Sequence, residues 1–206
     1  MQTLFILQAM RAIEQALTLY ENEIAELDRA IGDGDHYINI KRGGTLVLAM
    51  QAELANLAPD AALQKIGMKL MSAVGGASGV LVGGFFIAYG KMLKENGSES
   101  LPKLAVGFAA GVESIRQRGK SDLGEKTMLD VLIPVSREFT TMAVSDKIST
   151  EIASALKRVA TTGMLTTKDL LATKGRAAFL GERSKNHIDA GANLFYWWNA
   201  HVILWR

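Results

Sequence analysis

Residues 10–36 read MRAIEQALTLYENEIAELDRAIGDGDH, and the change inside this stretch organises the chain. Met10, Ile13, Leu17, Tyr20, Ile24 and Leu27 follow one another at steps of three and four. A helix turns once in about 3.6 residues, so this spacing lines one apolar face of a helix. The pattern then stops at Gly32-Asp33-Gly34-Asp35, where glycine and aspartate supply turn chemistry. Helical spacing recurs over about 38–57, 61–74, 78–94, 101–117, 125–141, 150–171 and 193–205. With the first stretch this predicts eight helices. Strict alternation of apolar and polar residues is nearly absent, and prolines occur only at Pro59, Pro102 and Pro134. An all-α fold follows. No linker, low-complexity tract or repeat divides the chain, so residues 1–206 are expected to form a single domain.

Composition narrows the function. The 206 residues are 49% hydrophobic and 21% charged, enough for one sizeable core. Lys plus Arg is 23 and Asp plus Glu is 21, a net charge of +2. So small a balance gives no reason to expect a nucleic-acid partner. The absence of cysteine excludes disulfides, thiolate metal sites and cysteine nucleophiles. Met1 to Met10 is apolar but lacks a basic leader and a small-residue cleavage site, and reads as the first turns of a helix. No uncharged run is expected to reach the roughly 20 residues of a membrane span. A cytoplasmic protein without a membrane partner is the default.

The polar chemistry gathers at the breaks. Asp28, Asp33 and Asp35 place three carboxylates at i, i+5 and i+7, just where the helix face ends. Clustered carboxylates repel one another unless a cation sits between them, and hard oxygen ligands favour Mg²⁺ or Ca²⁺. A calcium loop would need a later bidentate Glu, and Asn39 stands there instead. Mg²⁺ commonly completes its shell with phosphate oxygens and water, which points to a nucleotide polyphosphate. The alternative is a solvated acidic turn that caps a helix. The stretch Val74-Gly75-Gly76-Ala77-Ser78-Gly79 offers backbone N–H groups, and Ser78 is suited both to cap a helix and to donate to phosphate. It is no Walker loop, and its glycines equally suit close helix packing. Arg118-Gly119-Lys120 and Gly124-Glu125-Lys126-Thr127-Met128 could meet a phosphate and a base, or form a loop with a solvated charge run. Arg176, in Lys174-Gly175-Arg176-Ala177, could fork onto a phosphate or pair internally with a carboxylate. No Ser-His-Asp arrangement or other nucleophile is assigned.

Taken together, and in this order from about Ala25 to Gly191, these stretches resemble the ADP-binding (L) subunit of bacterial phosphotransferase-system-dependent dihydroxyacetone kinase. The resemblance implies an antiparallel barrel of eight amphipathic helices with a nucleotide–magnesium site at one mouth. It implies that Asp28, Asp33 and Asp35 bind two Mg²⁺ ions and that His36 and Asn39 contact the phosphates of ADP or ATP. It assigns nucleotide-binding roles to Ala77, Ser78, Gly119, Arg176, Asp189 and Gly191, and an adenine contact to Met128. It implies a cycle in which bound ADP is rephosphorylated by a phosphohistidine donor (M) subunit. The phosphoryl group then passes to dihydroxyacetone held on a separate K subunit, giving dihydroxyacetone phosphate. Such chemistry needs positioning and charge neutralisation, not a protein nucleophile. Two alternatives stay open: an ATP-dependent kinase with freely exchanging nucleotide, and a nucleotide-binding regulator of a transcription factor. A homodimer is left open too.

The chain departs from the family pattern at three places. Tyr37 replaces a usual glycine, which would bring a phenol into the phosphate loop. Ala190 replaces the proline of an Asp-Pro-Gly turn, which would loosen it. Trp197, Trp198 and Trp205 fall in a tail after Asp189 whose only charged residue is Arg206. Residues Leu194 to Trp205 are expected to form a helix that covers apolar surface.

Overall fold

Helix α1 (Thr3–Leu19) runs into α2 (Glu21–Ile31) through a bend at Tyr20. The backbone ladder continues across it, since Tyr20 N–H meets the Ala16 carbonyl at 2.9 Å and Ile24 N–H meets the Tyr20 carbonyl at 3.0 Å. The computed structural model describes residues 2–202. Within them follow α3 (His36–Ala49), the single turn α4 (Gln51–Leu54), α5 (Pro59–Ala73), α6 (Gly76–Asn96), α7 (Leu101–Gly119), α8 (Leu129–Ala143), α9 (Ser149–Thr166) and α10 (Ala190–Val202). A 3₁₀ stretch, Arg176–Ser184, lies between α9 and α10. Pro59 and Pro102 fall in the first turns of α5 and α7, where a missing N–H costs no helix bond.

Side-by-side packing closes a ring. α1 packs on α3, α3 on α5, and α5 to α10 each on the next, with α10 returning to α1. Neighbours in sequence joined by short turns must run antiparallel, and the result is the all-helical bundle expected from the eight apolar stripes. The interior is filled by Leu17, Ile24, Leu54, Ile66, Phe85, Ile115, Leu129, Leu156 and Phe195, all buried. Where α6, α7 and α8 meet, Phe85 stacks edge-on to Phe86 and Phe108, and Phe108 to Phe139, at centroid distances of 5.4, 5.4 and 6.1 Å.

The boundaries shift where side chains compete for the backbone. The expected 125–141 helix begins only at Leu129, because residues before it form a loop tied to Asp130. The 150–171 helix ends at Thr166, and the last helix begins earlier, at Ala190. The expectation about membrane spans is corrected. No charged residue lies between Lys69 and Lys91, and α6 is long and apolar enough to cross a membrane by length and composition. Here it packs between α5 and α7, and its apolar residues Phe85, Phe86 and Leu93 belong to the core. In the tail, Ala192, Asn193, Leu194 and Phe195 are buried. The side chains of Trp197, Trp198 and His201, and residues 203–206 with Trp205, lie outside the described part, as does the expectation that rests on them.

Candidate functional site

Asp28 is the hinge of the acidic loop. It sits in the last turn of α2, buried, and its Oδ2 accepts the backbone N–H of His36 at 2.9 Å. Its backbone carbonyl accepts Gly32 N–H at the end of α2, and its carboxylate caps α3. Gly32 is required by this closeness, since a Cβ there would lie 1.9 Å from Asp28 Oδ1. Gly34 takes φ +78°, the left-handed region open to glycine. The chain so folded brings one carboxylate oxygen each of Asp28, Asp33 and Asp35 within 4.8 Å of one another. Asp33 and Asp35 are exposed. Arg176 reaches across from the 3₁₀ stretch and places Nε 2.9 Å from Asp33 Oδ2.

His36 and Ser78 bridge the acidic loop to α6. Ser78 Oγ lies 3.4 Å from His36 Nδ1, a long contact. Ser78 is not the helix cap expected from the sequence, because α6 already begins at Gly76 with Gly75 before it. His36 Nε2 is buried with no hydrogen-bond partner. Burial lowers the His36 pKa, against the opposing pull of Asp28, Asp35 and Asp33. A neutral imidazole at neutral pH is the consequence.

Opposite this wall, the loop before α8 is held from inside. Asp130, buried, accepts N–H bonds from Gly124 (2.6 Å) and Thr127 (2.8 Å), which turns Met128 toward the open space. Lys126 has φ +60° and is only 1% exposed. Its Nζ donates to the carbonyls of Thr167 and, at 2.5 Å, His187. Reading the 124–128 segment as a solvated charge run is therefore corrected at Lys126. A buried ammonium fastens this loop to the end of α9 and to the segment entering α10. No spacing in the sequence reveals it, because the bonds go to backbone carbonyls far along the chain. Burial lowers the Lys126 pKa, offset in part by Asp189, Asp130 and Asp169. Lys126→Met leaves two carbonyls without their donor and is expected to cost about 2–4 kcal/mol in urea denaturation. An unchanged midpoint would contradict this clasp.

Asp189 caps α10, accepting Ala192 N–H at 2.8 Å, while its own N–H donates to Thr167 Oγ1 at 3.0 Å. Ala190 takes the first helical position of α10, directly after this cap. Tyr37 does not enter the phosphate loop. Its side chain is buried and belongs to the core.

Part of Asp189 faces the open space, but its carboxyl is enclosed by protein, and desolvation raises its pKa from 3.8 to about 6. A raised carboxyl pKa means that the folded state binds this proton more tightly than the unfolded chain does. The charged form then opposes folding above about pH 6, and the penalty fades as pH falls toward 3.8. In metal- and nucleotide-free protein, Asp189→Asn should gain stability relative to the parent between about pH 4 and pH 7. The gain should be on the order of 1 kcal/mol or more. Parallel stability–pH curves would contradict it.

These walls enclose a cleft of about 810 Å³. Asp28, Asp33, Asp35, His36, Asn39, Ala77, Ser78, Gly119, Met128, Arg176, Asp189 and Gly191 all line it. Twelve residues from six separated stretches thus meet in one place. The cleft also includes Leu81, Ile115, Arg118, Lys126, Thr127, Lys174 and Phe179. Phe179 is 85% exposed at its rim. His187 is not among the lining residues.

Residues 30–202 match the DAK2 domain. The chain belongs to the DAK2 domain family. A DAK2 relative from Listeria innocua, the PEP-dependent dihydroxyacetone kinase 1 ADP-binding subunit DhaL, is 40% identical over 171 residues. The match covers 82% of this chain and 79% of that one. The PEP-dependent dihydroxyacetone kinase ADP-binding subunit DhaL of Escherichia coli is 39% identical over 169 residues, covering 81% and 79%. Among solved structures, the dihydroxyacetone kinase from C. freundii in complex with AMP-PNP and Mg²⁺ superposes with a TM-score of 0.73. That match covers 96% of this chain and 33% of the other, at 22% identity. It shows that the DAK2 fold is shared with part of a longer chain.

Proposed function

We propose that this DAK2 chain is the nucleotide-binding subunit of a dihydroxyacetone kinase and that its cleft holds ADP or ATP with two Mg²⁺ ions. The observation that carries this is the convergence of three carboxylates, one arginine and an apolar wall in a single cleft. The donor set fits the group. Carboxylate oxygens within 4.8 Å of one another match a hard divalent cation. The buried, unpartnered His36 Nε2 leaves a hydrogen-bonding position that a phosphate oxygen would satisfy. The names of the relatives, ADP-binding subunits of dihydroxyacetone kinases, point the same way.

In this function Asp28, Asp33 and Asp35 hold the metals, His36 and Asn39 contact the phosphates and Met128 the adenine, and Ala77, Ser78, Gly119, Arg176, Asp189 and Gly191 complete the nucleotide site. When bound, the magnesium nucleotide supplies charge neutralisation and an aligned phosphoryl group. Arg176, 71% exposed and tied to Asp33 by one contact, is free to exchange that carboxylate for a phosphate at little cost. The substrate is dihydroxyacetone presented by a separate K subunit, and the phosphoryl group is replenished by a phosphohistidine donor subunit. The barrel mouth is the docking face, since reacting atoms must approach to roughly 3–3.5 Å, and the exposed Phe179 at its rim suits such a contact. A cytoplasmic location accords with this role.

The discriminating experiment is gel filtration of purified protein followed by nucleotide and metal analysis. Retained ADP and Mg²⁺ support a fixed cofactor. An emptied site that rebinds ATP rapidly supports an ATP-dependent kinase with exchanging nucleotide instead.

A further inference from the structure

The cleft has two chemically different ends. Ser78, beside His36 and the aspartates, marks one of them on α6. A helix rises about 1.5 Å per residue, so Leu81 lies about 4–5 Å and Gly84 about 9 Å farther along. A nucleotide whose phosphates sit among the aspartates has its base at about this second distance.

Arg118 stands there. It comes from the last turn of α7 and lines the cleft. Gly84 is what lets it lie against α6, since a Cβ at that position would come 2.6 Å from Arg118 Nε and 2.8 Å from its Cδ. Its Nε is oriented by Ser114 Oγ at 3.2 Å. Arg116 spends its guanidinium on Asp122 and Arg176 on Asp33. Among the described residues, no carboxylate is within ion-pair distance of Arg118. The neighbouring lining residues Leu81, packed against Gly119, and Ile115, one turn back on α7, are apolar. A flat cation next to an apolar wall is an environment for a flat aromatic ring, held by cation–π attraction and stacking.

We infer that Arg118 is a nucleotide-binding residue that covers the base, at the end of the cleft remote from the aspartates. The inference rests on the nucleotide-binding function proposed for the cleft and adds a residue and a role to it. Arginine over a ring face acts through the π system, so adenine and guanine nucleotides should depend on it alike.

The test separates base from phosphate. Binding of MgADP, MgGDP and magnesium pyrophosphate is measured calorimetrically for the parent and Arg118→Ala. Arg118 is exposed, and thermal unfolding of the variant should match the parent. The expected result is a loss of about tenfold for both nucleotides and unchanged affinity for magnesium pyrophosphate. Three results would overturn the inference alone: undiminished ADP binding, equal losses for ADP and pyrophosphate, or a loss confined to one nucleotide. If the parent binds neither nucleotide nor pyrophosphate, the nucleotide function itself fails, and the inference with it.

Discussion

Asp33→Ala and Asp35→Ala are each expected to abolish retention of nucleotide while leaving the helical fold intact. Both side chains are exposed and neither supports the core. The carboxylates meet within 4.8 Å, and in the proposed complex their charge balances two cations against a diphosphate. Removing one ligand leaves metal coordination incomplete and phosphate facing the remaining carboxylates with less positive charge between them. Affinity for MgADP should fall by roughly a hundredfold or more, with the far-UV circular dichroism and unfolding midpoint close to the parent. Asp28→Ala behaves differently. Asp28 is buried and caps α3 through His36 N–H at 2.9 Å, so this variant loses binding and also about 1–2 kcal/mol of stability. Stoichiometric ADP on purified Asp35→Ala would remove the metal assignment.

The second large effect is all or none. In the proposed function, this chain with ATP and dihydroxyacetone is expected to form no dihydroxyacetone phosphate, with turnover expected only when a K subunit and a phosphohistidine donor are added. The sequence contains no cysteine and three histidines. His36 is committed to the acidic loop, with Nδ1 toward Ser78 and Nε2 buried. His187 lends its carbonyl to Lys126 and is not part of the cleft wall. His201 lies in the tail, where side chains are not described. Neither described histidine is placed to hold a ketose covalently, and the cleft's polar groups are suited to phosphate and metal. A coupled assay with each component omitted in turn gives the answer. Product from the chain and ATP alone would overturn the subunit proposal.

Much of this fold is legible in the sequence. The steps of three and four through Met10, Ile13, Leu17, Tyr20, Ile24 and Leu27 mark a helix because one face must meet a core, and the same holds for the other seven stripes. The convergence of Asp28, Asp33 and Asp35 is readable because Gly32 and Gly34 allow the tight turn that brings them together. What escaped depends on partners remote in sequence. Lys126 looks like a surface lysine until the carbonyls of Thr167 and His187 come to it. Tyr37 looks like an intrusion into the loop, yet its side chain is buried in the core. The turn at Ala190 is capped by Asp189, which accepts Ala192 N–H, a bond that the sequence alone does not show. The uncharged run around α6 suits a membrane by composition, and only its neighbours α5 and α7 reveal that its apolar residues serve packing.

The central claim is that nucleotide binding here is metal-dependent and centred on the aspartate cluster. It is tested most directly by titrating ADP into the nucleotide-free chain, once with Mg²⁺ and once with a chelator. One ADP per chain is expected with Mg²⁺, and no measurable binding when the metal is removed or when Asp35 is replaced by alanine. Equal ADP affinity with and without Mg²⁺ would contradict it.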